Sequence, residues 1–242
     1  MSGKVLFKGG PFSEEIWKPY KVTLNFVSRL CGSTPANKEM LQGWLDSRKP
    51  SVRPPSGKTI AAVVEEVANR LEDQGASNDE AEKKSTVTFQ SVDNKLVVPA
   101  FTVRAHIKDC TSQVQNQLTG RIKGERNFTT RVKNGLYVKG DFTDPAGTDV
   151  ISMMRSGKPV AVAEIDGYQE RTVHASTPQG PISAIKKFAY VLKPTLTFVV
   201  SLLGESVKPQ DLALVLQYGA THGYGGERSM GEGRYQYTIE EA

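Results

Sequence analysis

The residues best suited to chemistry lie near the C-terminus: His222-Gly223-Tyr224-Gly225-Gly226-Glu227-Arg228-Ser229-Met230-Gly231-Glu232-Gly233-Arg234. Five glycines stand within eleven positions. Glycine admits positive φ and lets a second backbone come close. Successive bare N–H groups can form an anion-binding concavity. Arg228 and Arg234 add fixed charges suited to phosphate. A glycine-rich hairpin before a last strand would have the same composition. The loop is not a mononucleotide loop, because no Gly-Lys-Ser/Thr follows. It is not a dinucleotide fingerprint either, because a helix precedes it and a strand follows.

A second concentration of charge runs from Arg104 to Lys139. Its basic residues are Arg104, Lys108, Arg121, Lys123, Arg126, Arg131, Lys133 and Lys139, and its acids are Asp109 and Glu125. The segment carries +6, more than the +5 of the whole chain. From Thr119 to Asn134 it is polar and poorly periodic, which suits an arm wrapping a phosphate backbone. Phe128 and Tyr137 are interleaved and can stack on bases. A solvated basic surface would look the same. Farther on, Asp166-Gly167 reads as a hairpin turn, with Arg171 beside it.

The three histidines are His106, His174 and His222. His222 abuts the glycine loop and is the candidate catalytic residue, able to polarise a phosphate. His106 lies in a predicted helix and reads as structural or contacting. Glu65 and Glu66 point to different azimuths of a helix and make no acid–base pair. Cys31 and Cys110 show no metal or redox spacing and read as reduced core thiols of a cytosolic protein. No metal or cofactor motif is present.

The elements that must position these residues follow from periodicity. Val22, Leu24 and Phe26 alternate with Thr23 and Asn25, giving a half-buried strand over Tyr20–Leu30. Lys38–Ser47 suits a short helix. Ile60, Val63, Val64, Val67 and Leu71 suit a longer one ending near Gln74-Gly75. Thr86–Ser91 and Lys95–Val98 are extended. Val103, Ile107, Cys110, Val114 and Leu118 place a helix over Phe101–Leu118. Leu136–Phe142, Pro159–Ile165 and Tyr190–Leu203 read as strands, the last turning at Pro194. Leu212–Tyr218 reads as a helix. Tyr235, Tyr237 and Ile239 share one face of a final strand. This mixed order predicts an α+β domain on an antiparallel sheet. The 242 residues, with hydrophobics at 38% and charges at 24%, are ordinary for a globular chain. No run approaches the ~20 apolar residues of a membrane span, and Met1–Gly10 lacks the apolar core of a secretion signal.

Three ordered segments resemble the RAMP superfamily, the RRM-like RNA-binding proteins of CRISPR systems. Gly223, Gly225, Arg228, Ser229, Gly231 and Gly233 stand where that family has Gly-x-Gly-x-x-Arg-Ser-x-Gly-x-Gly before a terminal strand. Pro99, Arg104 and Lys108 match the approach to its first core helix, with Ala100 and Phe101 in place of a glycine and a serine. Lys186-Lys187-Phe188 and Pro194 to Phe198 match a third segment. The resemblance implies an RRM/ferredoxin-like antiparallel sheet core, with helices on one face and a helical insertion after the first strand. The core would comprise residues 1–32 and 85–242, and the insertion 33–84.

The resemblance further implies a cytoplasmic protein gripping single-stranded RNA, guide RNA above all. It would be a repeated subunit of a ribonucleoprotein effector, with copies of itself and other subunits as partners. The implied RNA-binding residues are Arg104, Lys108, Arg121, Lys123, Arg126, Arg131, Lys133, Arg171, Gly223, Gly225, Gly226, Arg228, Ser229, Gly231, Gly233 and Arg234. The sequence leans away from an enzyme. A RAMP-type endoribonuclease, or an assembly protein that kept the fold, remain as alternatives.

Overall fold

The structure is a computed structural model and describes residues 16–35, 86–118, 127–177 and 180–242. In chain order its elements are β1 (Trp17–Phe26), β2 (Arg29–Cys31), β3 (Thr34–Pro35), β4 (Thr86–Thr88), β5 (Gln90–Val92) and β6 (Lys95–Pro99). Then come helices α1 (Ala100–Leu118) and α2 (Phe128–Asn134), followed by β7 (Leu136–Lys139), β8 (Phe142–Thr143), β9 (Asp149–Arg155) and β10 (Lys158–Pro159). The chain ends with β11 (Gly167–Thr177), β12 (Gly180–Leu192), β13 (Thr195–Leu203), α3 (Pro209–His222) and β14 (Tyr235–Glu241).

β1, α1, β7 with β9, β13, α3 and β14 form a ferredoxin-like α+β core. The larger sheet runs β14-β1-β13-β9-β6-β5, with β7 also beside β13. The β14-β1-β13-β7 path is the 4-1-3-2 order of that core, and its pairings are antiparallel. Alternation explains which face is buried. Val22 and Leu24 of β1 pair with Phe198 and Leu196 of β13, and with Phe26 and Val200 they make up the buried face beneath α1 and α3. Thr23 and Thr197 meet on the opposite face, their hydroxyls 3.2 Å apart. α1 buries Ala100, Val103, Ile107, Cys110 and Val114, and α3 buries Leu212, Val215 and Leu216. Those positions form one stripe per helix. α3 is fixed at its start by Pro209 and by the Asp211 carboxylate, which accepts the Lys208 N–H at 3.0 Å.

A smaller sheet carries the long β11–β12 hairpin, flanked on β12 by β2 and β4, with β3 on β4. β3 and β4 pair through Thr34 and Thr88. Among the described residues no helix is long and apolar enough to cross a membrane.

The expected elements differ from these in several places: Leu136–Phe142 is broken into β7 and β8, and β12 begins at Gly180, ten residues before the expected start at Tyr190. Pro159–Ile165 is not a strand: Lys158–Pro159 pairs with β9, Ala161 makes an isolated bridge to Lys95, and Val162–Glu164 is a 3-10 turn. The Glu164 carboxylate accepts the Ala161 N–H at 2.7 Å and closes that turn. Asp166-Gly167 is not a hairpin turn, because Gly167 opens β11 and the apex falls between Thr177 and Gly180. Asp166 is instead bound by Arg155 at 2.7 Å and by the Leu192 N–H at 2.8 Å. Thr86–Ser91 splits at Phe89 into strands of different sheets. Residues 128–134 of the expected arm are helical, and β9 was not foreseen. The expected helices at 38–47 and 60–74, and most of the expected insertion 33–84, lie outside the described residues.

Candidate nucleic-acid interface

The glycine loop joins α3 to β14 and is stitched to the corner between β1 and β2. The Gly226 N–H donates to Cys31 O at 3.0 Å, the Gly233 N–H to Arg29 O at 2.7 Å, and the Val27 N–H to Arg234 O at 2.9 Å. Gly223 and Gly231 donate to Gly219 O and Arg228 O within the chain. These four glycine N–H groups are therefore spent inside the protein. Close approach explains the residue type. A Cβ on Gly226 would lie 2.4 Å from Gly32 O, and one on Gly233 would lie 1.9 Å from Tyr224 O at φ +72. The glycines let two backbones touch.

The side chains of the loop are braced as well. Arg29 donates Nε to Glu232 at 2.9 Å, adds a second bond from Nη2 to the same oxygen, and reaches Gln169 at 2.6 Å. Glu227, its side chain 5% exposed, receives Arg171 and Lys186 at 2.7 Å each. Burial alone would raise the Glu227 carboxyl. The bonds from Lys186 and Arg171 outweigh it and hold the group below its ordinary value. Arg228 donates to Asp109 at 3.1 Å and to His222 Nε2 at 3.0 Å, and Tyr218 stacks on His222. Ser229 and Arg234 are exposed on the rim.

Beneath the loop, the Thr102 hydroxyl donates to Pro99 O at 2.7 Å and meets the Tyr224 hydroxyl at 2.6 Å. His106 meets the Tyr235 hydroxyl at 3.0 Å. Burial pushes His106 down to about 3, so it stays neutral. His106 is a structural residue of the core. Cys31 and Cys110 are free, buried, and pushed by burial up to about 12, which leaves both as inert thiols.

A different surface holds three cations that no carboxylate among the described residues engages. Arg104 and Lys108 lie one turn apart on α1, and Lys133 comes from α2. Arg104 donates Nε to Leu136 O at 3.0 Å at the rim of β7. Burial, then the charges of Arg104 and Lys133, lower the Lys108 ammonium. The three cations thus form one positive ridge. Among the described residues none of them makes an ion pair with an acid. Phe101, 56% exposed, stands on the same side of α1.

Of the residues expected to bind, the structure brings Arg104, Lys108 and Lys133 together. Gly223, Gly225, Gly226, Arg228, Ser229, Gly231, Gly233 and Arg234 form the braced loop. Arg171 is tied to that loop through Glu227. Arg131 turns inward to Asp211 at 3.4 Å and over the Phe128 ring. Phe128 is itself a core residue, 4% exposed, and is closed to base stacking. The Tyr137 hydroxyl donates to Asp149 at 3.1 Å. Arg121, Lys123 and Arg126 lie outside the described residues. Sequence reasoning missed the anchoring acids Asp109, Glu227 and Glu232. The signal was present, since two carboxylates inside an expected anion loop imply internal pairing. Among the described residues no three His, Cys, Asp or Glu side chains converge as metal ligands.

No family model matches this chain, and no curated protein does. A chain in the cryo-EM structure of the Type III-B Cmr-beta bound to cognate target RNA is similar in shape, with a TM-score of 0.45 and 10% identity. The similarity covers 94% of this chain and 62% of that one. This chain therefore spans less than two thirds of the solved chain's length.

Proposed function

We propose that this protein grips single-stranded RNA along the Arg104–Lys108–Lys133 ridge, as a RAMP-like subunit of a guide-RNA ribonucleoprotein. The observation that carries the reading is three cations within reach of one another, with no acid paired to them among the described residues. Such a cluster is destabilising in the free protein and is relieved by a polyanion. Phosphate contacts position the strand and read its sequence weakly. The motif resemblance supplies RNA as the polyanion. The glycine loop acts on this reading as a brace, holding α1, the β1–β2 corner and the β11–β12 hairpin in one frame.

The core comprises 1–32 with 85–242, and 33–84 is inserted. The pairing of Thr34 and Pro35 with Thr88 and Val87 supports an insertion at this place, because it brings the two flanks of 36–85 together. Copies assemble head to tail along the RNA, an open heterologous arrangement, with other subunits at the ends. The test is purification through a high-salt wash, then extraction and sizing of bound nucleic acid with RNase and DNase controls. RNA of uniform length on a large particle is the expected result. A clean monomer without affinity for single-stranded RNA at low salt would refute the reading.

A further inference from the structure

Phe101 is the second residue of α1, yet its ring faces water. At 100° per residue it falls on the stripe of Arg104 and Lys108, well off the core stripe of Val103, Ile107 and Cys110. Scattered exposed apolar side chains are common and need no explanation. What sets Phe101 apart is its setting, an open aromatic face beside cations that no acid pairs among the described residues.

We propose that Phe101 is the stacking seat for one nucleobase of a single-stranded RNA whose neighbouring phosphates lie on Arg104 and Lys108. The proposal rests on the RNA-binding reading of the ridge and adds a ligand contact that the motif resemblance does not supply. Cations that track a backbone beside an aromatic that takes a base are the working parts of single-strand sites. The spacing fits. Four helical residues separate Arg104 from Lys108 by about 6 Å along the axis. Two long side chains so placed can reach neighbouring phosphates of one strand. A duplex covers both faces of its internal bases, so only a single strand can offer one to the ring. Charge decides against an apolar protein groove as occupant, since burying Phe101 there would also desolvate Arg104 and Lys108 without a counter-charge.

The experiment uses the full chain and a single-stranded RNA oligomer carrying 2-aminopurine. The natural protein is compared with Phe101→Leu, which keeps apolar bulk without a ring, and Phe101→Tyr, which keeps the ring. The expected results are an about 5- to 150-fold loss of affinity for Leu, the worth of one stacked base, and binding within about twofold for Tyr. The salt dependence stays unchanged in both, because no charge is altered. Quenching of 2-aminopurine is lost only in Leu. If Leu binds as tightly as the natural protein, the stacking seat is overturned while the ridge reading stands. If the natural protein does not bind RNA, the reading beneath it falls too.

Discussion

Replacing Glu227 by glutamine tests the brace. Arg171 and Lys186 are directly opposed across the β11–β12 hairpin, and like charges so placed repel. The Glu227 carboxylate sits between them at 2.7 Å from each and is almost wholly covered. A hydrogen bond to a charged group contributes about 1.5–3 kcal/mol. Both cations are about a third exposed, so water recovers much of that once the acid is gone. The expected loss for Glu227→Gln is therefore about 2–3 kcal/mol, below the ~3–5 kcal/mol of a fully buried pair. For a chain of this size that lowers the unfolding midpoint by about 4–12 °C.

The effect has a pH signature. The folded carboxyl is held below its ordinary value of 4.5, so its contribution is full above that value and is lost as pH falls through the folded one. Thermal unfolding followed by circular dichroism, from neutral pH downward, should show the natural and variant proteins converging below about pH 4.5. Glu227 also sits at φ +55. Glycine there should be about 1 kcal/mol more stable than alanine, because the left-handed strain is relieved. Equal midpoints and equal acid sensitivity in Glu227→Gln would refute the brace.

Three further expectations follow from the same geometry. Gly226→Ala drives a Cβ against the Gly32 carbonyl and should cost about 1–3 kcal/mol in denaturant unfolding. Gly147→Ala, at φ +81 with nothing within 4 Å, should cost only about 1 kcal/mol; equal costs would sink the close-approach argument. His106 is neutral when folded, so the unfolded chain binds its proton first. Stability should then fall by up to about 1.4 kcal/mol per pH unit as pH drops from 6.5 towards about 3. His106→Gln should flatten that slope between pH 6.5 and 4.5, before Glu227 titrates, and an unchanged slope would show that His106 is solvated. Phe101→Leu should weaken RNA binding without altering its salt dependence, as set out above.

Period-two alternation made β1, β13 and β14 legible, because each has one face on the core and one in water. β9 was not legible because Val150 and Ile151 are both buried. Two successive buried residues break the alternation by which a half-exposed strand is recognised. The period of α2 is not legible in the sequence, because seven residues give too few turns to establish one. The glycine loop was legible as a place, and its chemistry was not. Glycines permit both an anion nest and two touching backbones, and only the partner atoms, Gly32 O and Cys31 O, distinguish the two. The ridge was half legible. Arg104 and Lys108 were visible at helical spacing, but Lys133 joins them only through the packing of α2 on α1. The exposure of Phe101 depends on the rotation of α1, which its core residues set.

The most direct measurement is the salt dependence of RNA binding by the natural protein and by the triple variant Arg104→Gln, Lys108→Gln, Lys133→Gln. Anisotropy of a labelled single-stranded oligomer between about 50 and 200 mM salt gives the slope of log affinity against log salt. Each lost phosphate contact on a single strand removes about 0.7 from that slope. Three should remove about 2, and the variant should be about tenfold or more weaker at the low-salt end. Arg228→Gln, which removes a cation already engaged by Asp109, should leave the slope close to its natural value. A triple variant with the natural slope, or an Arg228→Gln slope that falls as far, would contradict the assignment of the ridge as the RNA-gripping surface.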